Sequence, residues 1–111
     1  MRLTDLQIQK IKNSILLGNG DSIVRINVSN KSDGWTNDES NYNIYCIDTK
    51  NNIIWQVKEL KTKPSGLFGE ADPFYSLKKS DEGSILAYRF SGYEYSINAE
   101  TGEASRIGFH K

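Results

Sequence analysis

The chain contains one cysteine, Cys46, and one histidine, His110, which are the side chains best suited to nucleophilic or general-base chemistry. His110 is the penultimate residue of the sequence, where we expect neither an orienting neighbour nor a pocket. Cys46 lies between Tyr45 and Ile47 in an apolar run, which indicates a small buried side chain. That strand does not offer the cationic or helix-terminal environment of a reactive cysteine. The sequence therefore predicts a protein that is not an enzyme.

The glycine-rich segments do not match a known phosphate-binding loop. Neither Gly18 and Gly20 nor Gly66 and Gly69 are followed by Lys-Ser/Thr, and neither pair opens a strand–glycine–helix unit. We interpret both pairs as turns. The carboxylates of the polar segments lack the glycine and ligand spacing of a calcium loop, and a single cysteine excludes an internal disulfide. We therefore expect no metal ion and no other cofactor.

Composition sets limits on the class of protein. The chain has 111 residues, 37% of them hydrophobic, with 14 basic and 14 acidic residues and a formal net charge of zero. This length favours one domain over residues 1–111. A neutral chain argues against a nucleic-acid or anionic-membrane binder, which usually carries a basic excess. No apolar run approaches the ~18 residues of a membrane span, and the lysine-bearing start does not resemble a signal peptide, so we expect a cytoplasmic protein.

Period-two alternation of apolar residues, with turn residues between the runs, predicts a mainly β fold of about eight short antiparallel strands. The predicted strands cover residues 22–28, 42–48, 53–58, 74–78, 85–90, 93–98 and 104–109. They fall into two consecutive meander units, residues 14–58 and 74–109, separated by a loop over 59–72, and another loop over 29–41 lies within the first unit. We expect these units to form a strongly bent open sheet, a half-barrel or a small sandwich.

Residues 1–13 fit either a helix or a strand. Asp5 could cap a helix over residues 6–17, with Ile8, Ile11 and Ile15 on one face. The competing interpretation is a strand over residues 6–12, in which Leu6 and Ile8 alternate with polar neighbours. The sequence leaves both open.

The two units resemble each other. Residues 44–52 align with 94–102 at an offset of 50, and residues 20–24 align more loosely with 82–86. The alternative is that any two hairpins with this alternation look alike. The same alternation assigns six residues to the core, namely Val24, Ile26, Val28, Leu86, Tyr88 and Phe90.

One segment resembles a blade of the quinoprotein-type propellers. Its residues run Tyr45-Cys46-Ile47-Asp48, then Asn52, then Ile53-Ile54-Trp55, and residues 95–102 form a weaker copy. Closed propellers need ~4–8 blades, so two units cannot close one. The resemblance implies blade-like sheets and does not imply a quinone cofactor.

Both predicted loops combine acidic and aromatic residues, which protein interfaces use for charge complementarity and anchoring. The sequence from Asp33 to Asp48 has four acidic residues and no basic one. The alternative is that the aromatic residues fold back to plug the ends of the sheet. The candidate partner-binding residues are Asp33, Trp35, Asp38, Glu39 and Asp48 in and after the first loop, and Phe68, Glu70 and Asp72 in the second.

In size and character the chain resembles the small bacterial immunity proteins of contact-dependent growth inhibition systems. These share no common signature, so the resemblance assigns no functional residue. It implies a cytoplasmic inhibitor that binds a basic toxin domain, often a nuclease such as a ribonuclease, as a heterodimer and occludes its active site. It implies no direct contact with nucleic acid or membrane. The alternatives are a non-catalytic β-rich interaction domain related to propeller blades and an enzyme whose site the sequence does not reveal.

Overall fold

The computed structural model describes residues 1–59 and 72–109. Within these residues the chain forms nine short strands, two short α-helices and one 3-10 turn, and the mainly β prediction is confirmed. The helices are α1, Asp5–Gln9, and α2, Asn37–Asn41, and the 3-10 turn is Lys31–Asp33. The strands are β1 Ile11–Leu16, β2 Ser22–Ile26, β3 Ile44–Ile47, β4 Ile53–Gln56, β5 Lys58–Glu59, β6 Phe74–Lys79, β7 Ile85–Arg89, β8 Tyr93–Ile97 and β9 Glu103–Phe109.

The strands form two sheets that share one hydrophobic cluster. The first sheet has the order β1-β2-β3-β4 and the second the order β5-β9-β8-β7-β6. Every pair is antiparallel except β5 with β9, because the chain leaves the first sheet at Val57 and joins the edge of the second. The predicted strand over 53–58 is therefore two strands in different sheets. Of the three predicted architectures, the small sandwich describes this arrangement.

The N-terminal segment contains a short helix followed by a strand, and neither covers the range that the sequence predicted for it. Thr4, not Asp5, caps α1: its hydroxyl accepts from the Gln7 backbone N–H (3.1 Å), and the Gln7 side chain accepts from the Thr4 N–H (2.8 Å). The helix ends at Gln9, and β1 begins at Ile11 because the following residues alternate and pair with β2. The first unit therefore begins at residue 11, three residues before its predicted start.

The two four-stranded meanders have matching registers. Ile11 pairs with Ile26 next to a β-bulge in β1. At an offset of 63, Phe74 pairs with Arg89 next to a bulge at the equivalent position of β6. The β2–β3 pairs match the β7–β8 pairs in the same way. Strand pairing therefore supports the internal repeat. The sequence alignment of residues 20–24 with 82–86 is wrong by one residue, because the structural offset there is 63.

Four of the six predicted core residues are not buried, and three of these four lie in or just after β7, where a shift of one residue chooses the wrong face. Adjacent residues of a strand face opposite sides, so a shift of one exchanges the buried and exposed faces. In β7 the residues that face the first sheet are Ile85, Ala87 and Arg89, which are buried, whereas Phe90 is 79% exposed. The predicted core residues Leu86 and Tyr88 are only partly buried, as is Val28, while Val24 and Ile26 are buried as predicted.

The first sheet is covered on both faces and the second on one. Between the sheets lie twelve buried residues, which we call the inner cluster: Ile23, Ile44, Cys46, Trp55, Val57, Phe74, Leu77, Ile85, Ala87, Tyr95, Ile97 and Ala104. Residues of the N-terminal segment and of the β2–β3 connection, including Leu3, Ile8 and Trp35, cover the other face of the first sheet. This explains why Ile23, Val24, Arg25 and Ile26 are all buried.

The repeat also explains the outer face of the second sheet. Its residues are the counterparts of those that the first sheet packs into the inner cluster, and most of them are polar. By matching register, Ile23 corresponds to Leu86, Ile44 to Glu94, Cys46 to Ser96 and Trp55 to Ser105. A terminal repeat needs such a polar outer face, because no further unit covers it.

Candidate protein-binding surface

Exposed large hydrophobic side chains are concentrated at one end of the second sheet. Of the seven such side chains among residues 1–59 and 72–109, four lie at this end, which we call the aromatic end: Tyr75, Phe90, Ile107 and Phe109. They lie at the same end of the sheet because β6 and β8 begin there, whereas β7 and β9 end there. Grouped exposed apolar residues mark interaction sites more often than single ones do.

Aromatic and cationic side chains pack in pairs around this end. The rings of Tyr93 and Phe109 are 4.8 Å apart, and the Arg106 guanidinium lies 3.7 Å from the Tyr93 ring centroid. The rings of Tyr75 and Tyr88 are 6.4 Å apart. Tyrosine, phenylalanine and arginine are enriched in protein interfaces, so the composition of this end is typical of a binding surface.

Behind the aromatic end lies a buried arginine network formed by Glu59, Arg89, Tyr95 and Arg106. Arg89 is 0% exposed, and its Nη2 lies 3.2 Å from Glu59 Oε1. The other oxygen of Glu59 lies 3.4 Å from Arg106 Nη2. The hydroxyl of Tyr95 accepts hydrogen bonds from both arginines. Burial raises the pKa of Tyr95, although the arginine hydrogen bonds oppose that rise. The network joins β5, β7, β8 and β9 into one rigid support.

The same network fixes the turn that carries Phe90. Arg89 Nη1 donates to the backbone carbonyls of Asn41 and Asp72. The buried Asp72 carboxylate accepts from the backbone N–H of Ser91 (3.0 Å) and from its hydroxyl (2.7 Å). The residues on both sides of Phe90 are therefore tied to buried partners, while its own ring is exposed.

Helix α2 adjoins the aromatic end and brings negative charge to it. Thr36 and Glu39 form a reciprocal capping box that starts the helix. At its other end the Asn41 side chain accepts from the Asp72 backbone N–H (2.7 Å). Asp38 is exposed, and it lines a cavity of about 260 Å³ that is also bounded by Tyr42, Gln56, Val57, Lys58 and Glu59. The acidic helix α2 and the aromatic end thus lie on the same side of the molecule.

Two residues of the first predicted loop contribute to packing. The Trp35 ring folds back onto the face of the first sheet that lies away from the second sheet, and not onto the sheet end as the alternative had it, and its indole nitrogen is buried. Asp33 forms an ion pair with Lys10 (3.3 Å). The segment predicted as a loop over 29–41 contains the 3-10 turn and α2, so only part of it is irregular.

The other predicted residues do not join Asp38 and Glu39 in one patch. Asp48 lies at the far end of β3 from α2, where it accepts hydrogen bonds from Asn52 and from the Lys50 N–H. The bonds from the Asn52 side chain and backbone hold the pKa of Asp48 below its usual value. Asp72 lies beneath the surface, and Phe68 and Glu70 lie outside the described residues. The structure therefore divides the predicted site.

Three further features of the described residues concern metal binding, the reactivity of Cys46 and membrane spans. They contain no group of three or more His, Cys, Asp or Glu side chains that could hold a metal ion. Burial, followed by the negative charge of Asp21, raises the pKa of the Cys46 thiol to about 11, which disfavours the nucleophilic thiolate. No helix in residues 1–59 and 72–109 is long and apolar enough to cross a membrane.

Sequence patterns gave no signal for the aromatic end or for the buried arginine network. An arginine in a strand is expected at the surface, so nothing marked Arg89 as a core residue. The correct repeat offset would have helped. It makes Arg89 the counterpart of the buried Ile26, and it leaves Phe90 off the buried face. The capping-box patterns Thr4-x-x-Gln7 and Thr36-x-x-Glu39 could have located both helices.

Comparison with known proteins identifies a family but no characterised relative. A family model described as a domain of unknown function (DUF7957) matches residues 5–109. No curated protein and no solved structure shows a significant match. The match covers both repeat units, the aromatic end and α2.

Proposed function

The chain belongs to the DUF7957 family, and we propose that it is a non-catalytic binding protein, specifically an immunity protein that neutralises a cognate toxin domain in the cytoplasm. The single observation that carries this proposal is the aromatic end, held by the buried arginine network and flanked by the acidic helix α2. Binding proteins gain affinity when their anchor residues are rigid before the partner arrives.

The aromatic end and α2 have complementary tasks in this proposal. Phe90 supplies the exposed aromatic anchor, since its neighbours are tied down and its ring faces solvent. Asp38 supplies negative charge that attracts a basic toxin and raises the association rate. Glu39 caps the same helix, and after burial its charge contributes to the raised pKa of Tyr45 in the first sheet.

The mechanism is stoichiometric occlusion. A toxin nuclease binds nucleic acid in a basic cleft, and a protein with an acidic and aromatic surface can fill that cleft. The inhibitor needs no turnover of its own, which agrees with the raised pKa of Cys46. The partner is then a basic nuclease domain in a one-to-one heterodimer.

We expect Phe90→Ser to weaken binding to the toxin domain encoded directly upstream by roughly ten- to thirty-fold, because a buried aromatic anchor contributes ~1.5–2 kcal/mol. Isothermal titration calorimetry measures this change. Leu16→Ser is the matched control, since Leu16 is also exposed (72%) but lies in β1 of the other sheet. Equal affinity of both variants and the wild type would exclude the aromatic end as the contact.

The alternative is a general protein-interaction domain related to propeller blades. The repeated meander with its matching bulges favours this possibility. The two functions differ in the partner, so tight binding to the product of the adjacent gene distinguishes an immunity protein from a general interaction domain.

A further inference from the structure

A second cavity lies between the two repeat units, among turns that are remote from the aromatic end. It has a volume of about 480 Å³, and we call it the inter-unit cavity. Its walls come from the β1–β2 turn and the β8–β9 turn, with Cys46 and Ile54 of the first sheet. Because the β8–β9 turn is held by the Trp55 Nε1–H bond to the Ala99 carbonyl (3.0 Å), the cavity has a fixed side.

The lining of this cavity has an apolar part and an acidic part. Leu17, Cys46, Ile54 and Ala99 provide the apolar part, and Asp21 and Glu100 provide two carboxylates from opposite units. No lysine or arginine of the described residues lines it. Cys46 is 2% exposed, and its thiol is free of any disulfide.

These features define the chemistry of the ligand. An aliphatic chain can lie along the apolar part while a positive group at its end reaches the two carboxylates, which is how lysine side chains bury their stems. An anion would meet two negative charges without a cation to offset them. A neutral chain would gain the apolar contact alone.

We propose that the inter-unit cavity receives a lysine side chain of the partner protein, with its stem on Leu17 and Ala99 and its ammonium group between Asp21 and Glu100. The identity of that partner as a toxin rests on the proposed function. The preference of the cavity for an alkylammonium chain does not, so the two ideas can fail separately. This contact lies far from the aromatic end and would give the partner a second point of attachment.

The test uses three molecules of similar shape and different charge. n-Butylammonium reproduces the lysine side chain, n-butanol is its neutral analogue and butyrate is its anionic analogue. We expect n-butylammonium to shift the backbone amide resonances of Asp21, Cys46 and Glu100 in a two-dimensional nitrogen–proton NMR titration. We expect n-butylammonium to bind about fivefold more tightly than n-butanol, because it gains two charge contacts that solvent partly screens.

Variants of the carboxylates provide the control. Asp21→Asn with Glu100→Gln should remove the fivefold preference, while Asp81→Asn with Glu82→Gln, in the corresponding turn of the second unit, should leave it unchanged. Equal binding of the three molecules, or shifts that map elsewhere, would overturn the proposal. A lysine-containing tripeptide should bind like n-butylammonium and its norleucine analogue like n-butanol. If n-butylammonium binds and the lysine peptide does not, the cavity takes a free amine and the partner contact is wrong.

Discussion

Arg89→Met lowers the free energy of unfolding by about 3–5 kcal/mol, the cost expected when one partner of a buried ion pair is removed. Arg89 is wholly buried, and the Glu59 side chain that it contacts is 3% exposed. Without the guanidinium, the carbonyls of Asn41 and Asp72 lose a donor. Among residues 1–59 and 72–109, Glu59 then retains only its ion pair with Arg106. Urea unfolding at neutral pH, followed by circular dichroism, measures the change.

Arg106→Met is the matched control for that substitution. Arg106 contacts the same carboxylate and the same tyrosine, but its side chain is 29% exposed, so water can replace much of what is lost. We expect a loss of about 1 kcal/mol. Similar losses of unfolding free energy for the two variants would show that the buried ion pair of Arg89 stabilises the fold no more than the exposed one of Arg106. The proposal of a rigid support behind the aromatic end would then be wrong.

Gly102→Ala lowers the free energy of unfolding by about 3 kcal/mol, the combined effect of overpacking and of a left-handed backbone. Gly102 has a φ of +79°, and a Cβ placed there would lie 2.5 Å from Cε3 of Trp55. The indole cannot move away freely, because its Nε1–H donates to the Ala99 carbonyl. Chemical denaturation followed by tryptophan fluorescence reports on both the stability and the displaced ring.

Gly83→Ala separates the two contributions. Gly83 has a similar φ of +88°, but the nearest atom to its added Cβ is the end of the Lys79 side chain at 4.0 Å. We expect a loss of about 1 kcal/mol, from the backbone alone. If Gly102→Ala costs no more than Gly83→Ala, the contact between Trp55 and Gly102 does not hold the two units together.

The sequence was sufficient for the elements that depend on short-range patterns. Alternation located the strands to within about two residues at most ends, and Gly20 has a positive φ in the turn that the sequence predicts there. The division into two units also has a local signal. Asp48 and Asn98, which are 50 residues apart, each accept a side-chain hydrogen bond from the backbone N–H two residues later.

Residues that depend on long-range packing could not be assigned from the sequence. An alternating strand has two faces, and only the other sheet decides which is buried, as β7 illustrates. Asp72 and Arg89 carry charges that the sequence assigns to the surface, but the sandwich buries both in hydrogen bonds. Conversely, Phe90 and Phe109 are apolar but exposed, so the candidate surface only becomes visible in three dimensions.

The acidic residues show the same limit. Asp33, Asp38, Glu39 and Asp48 lie close in sequence, but the strand between residues 44 and 47 carries Asp48 to the opposite end of the sheet. Asp33 is neutralised by Lys10, which no local pattern indicates. Of these four residues, only Asp38 and Glu39 on α2 therefore lie beside the aromatic end.

Growth protection is the most direct test of the central claim that this chain neutralises a toxin by binding it. The toxin domain encoded directly upstream is produced in a sensitive bacterium from an inducible promoter, with or without the chain. We predict that the wild type and Leu16→Ser restore growth, whereas Phe90→Ser needs roughly ten- to thirty-fold more soluble protein for the same protection. Failure of the wild-type chain to restore growth would contradict the proposed function, and equal protection by Phe90→Ser at every level of expression would contradict the assignment of the aromatic end.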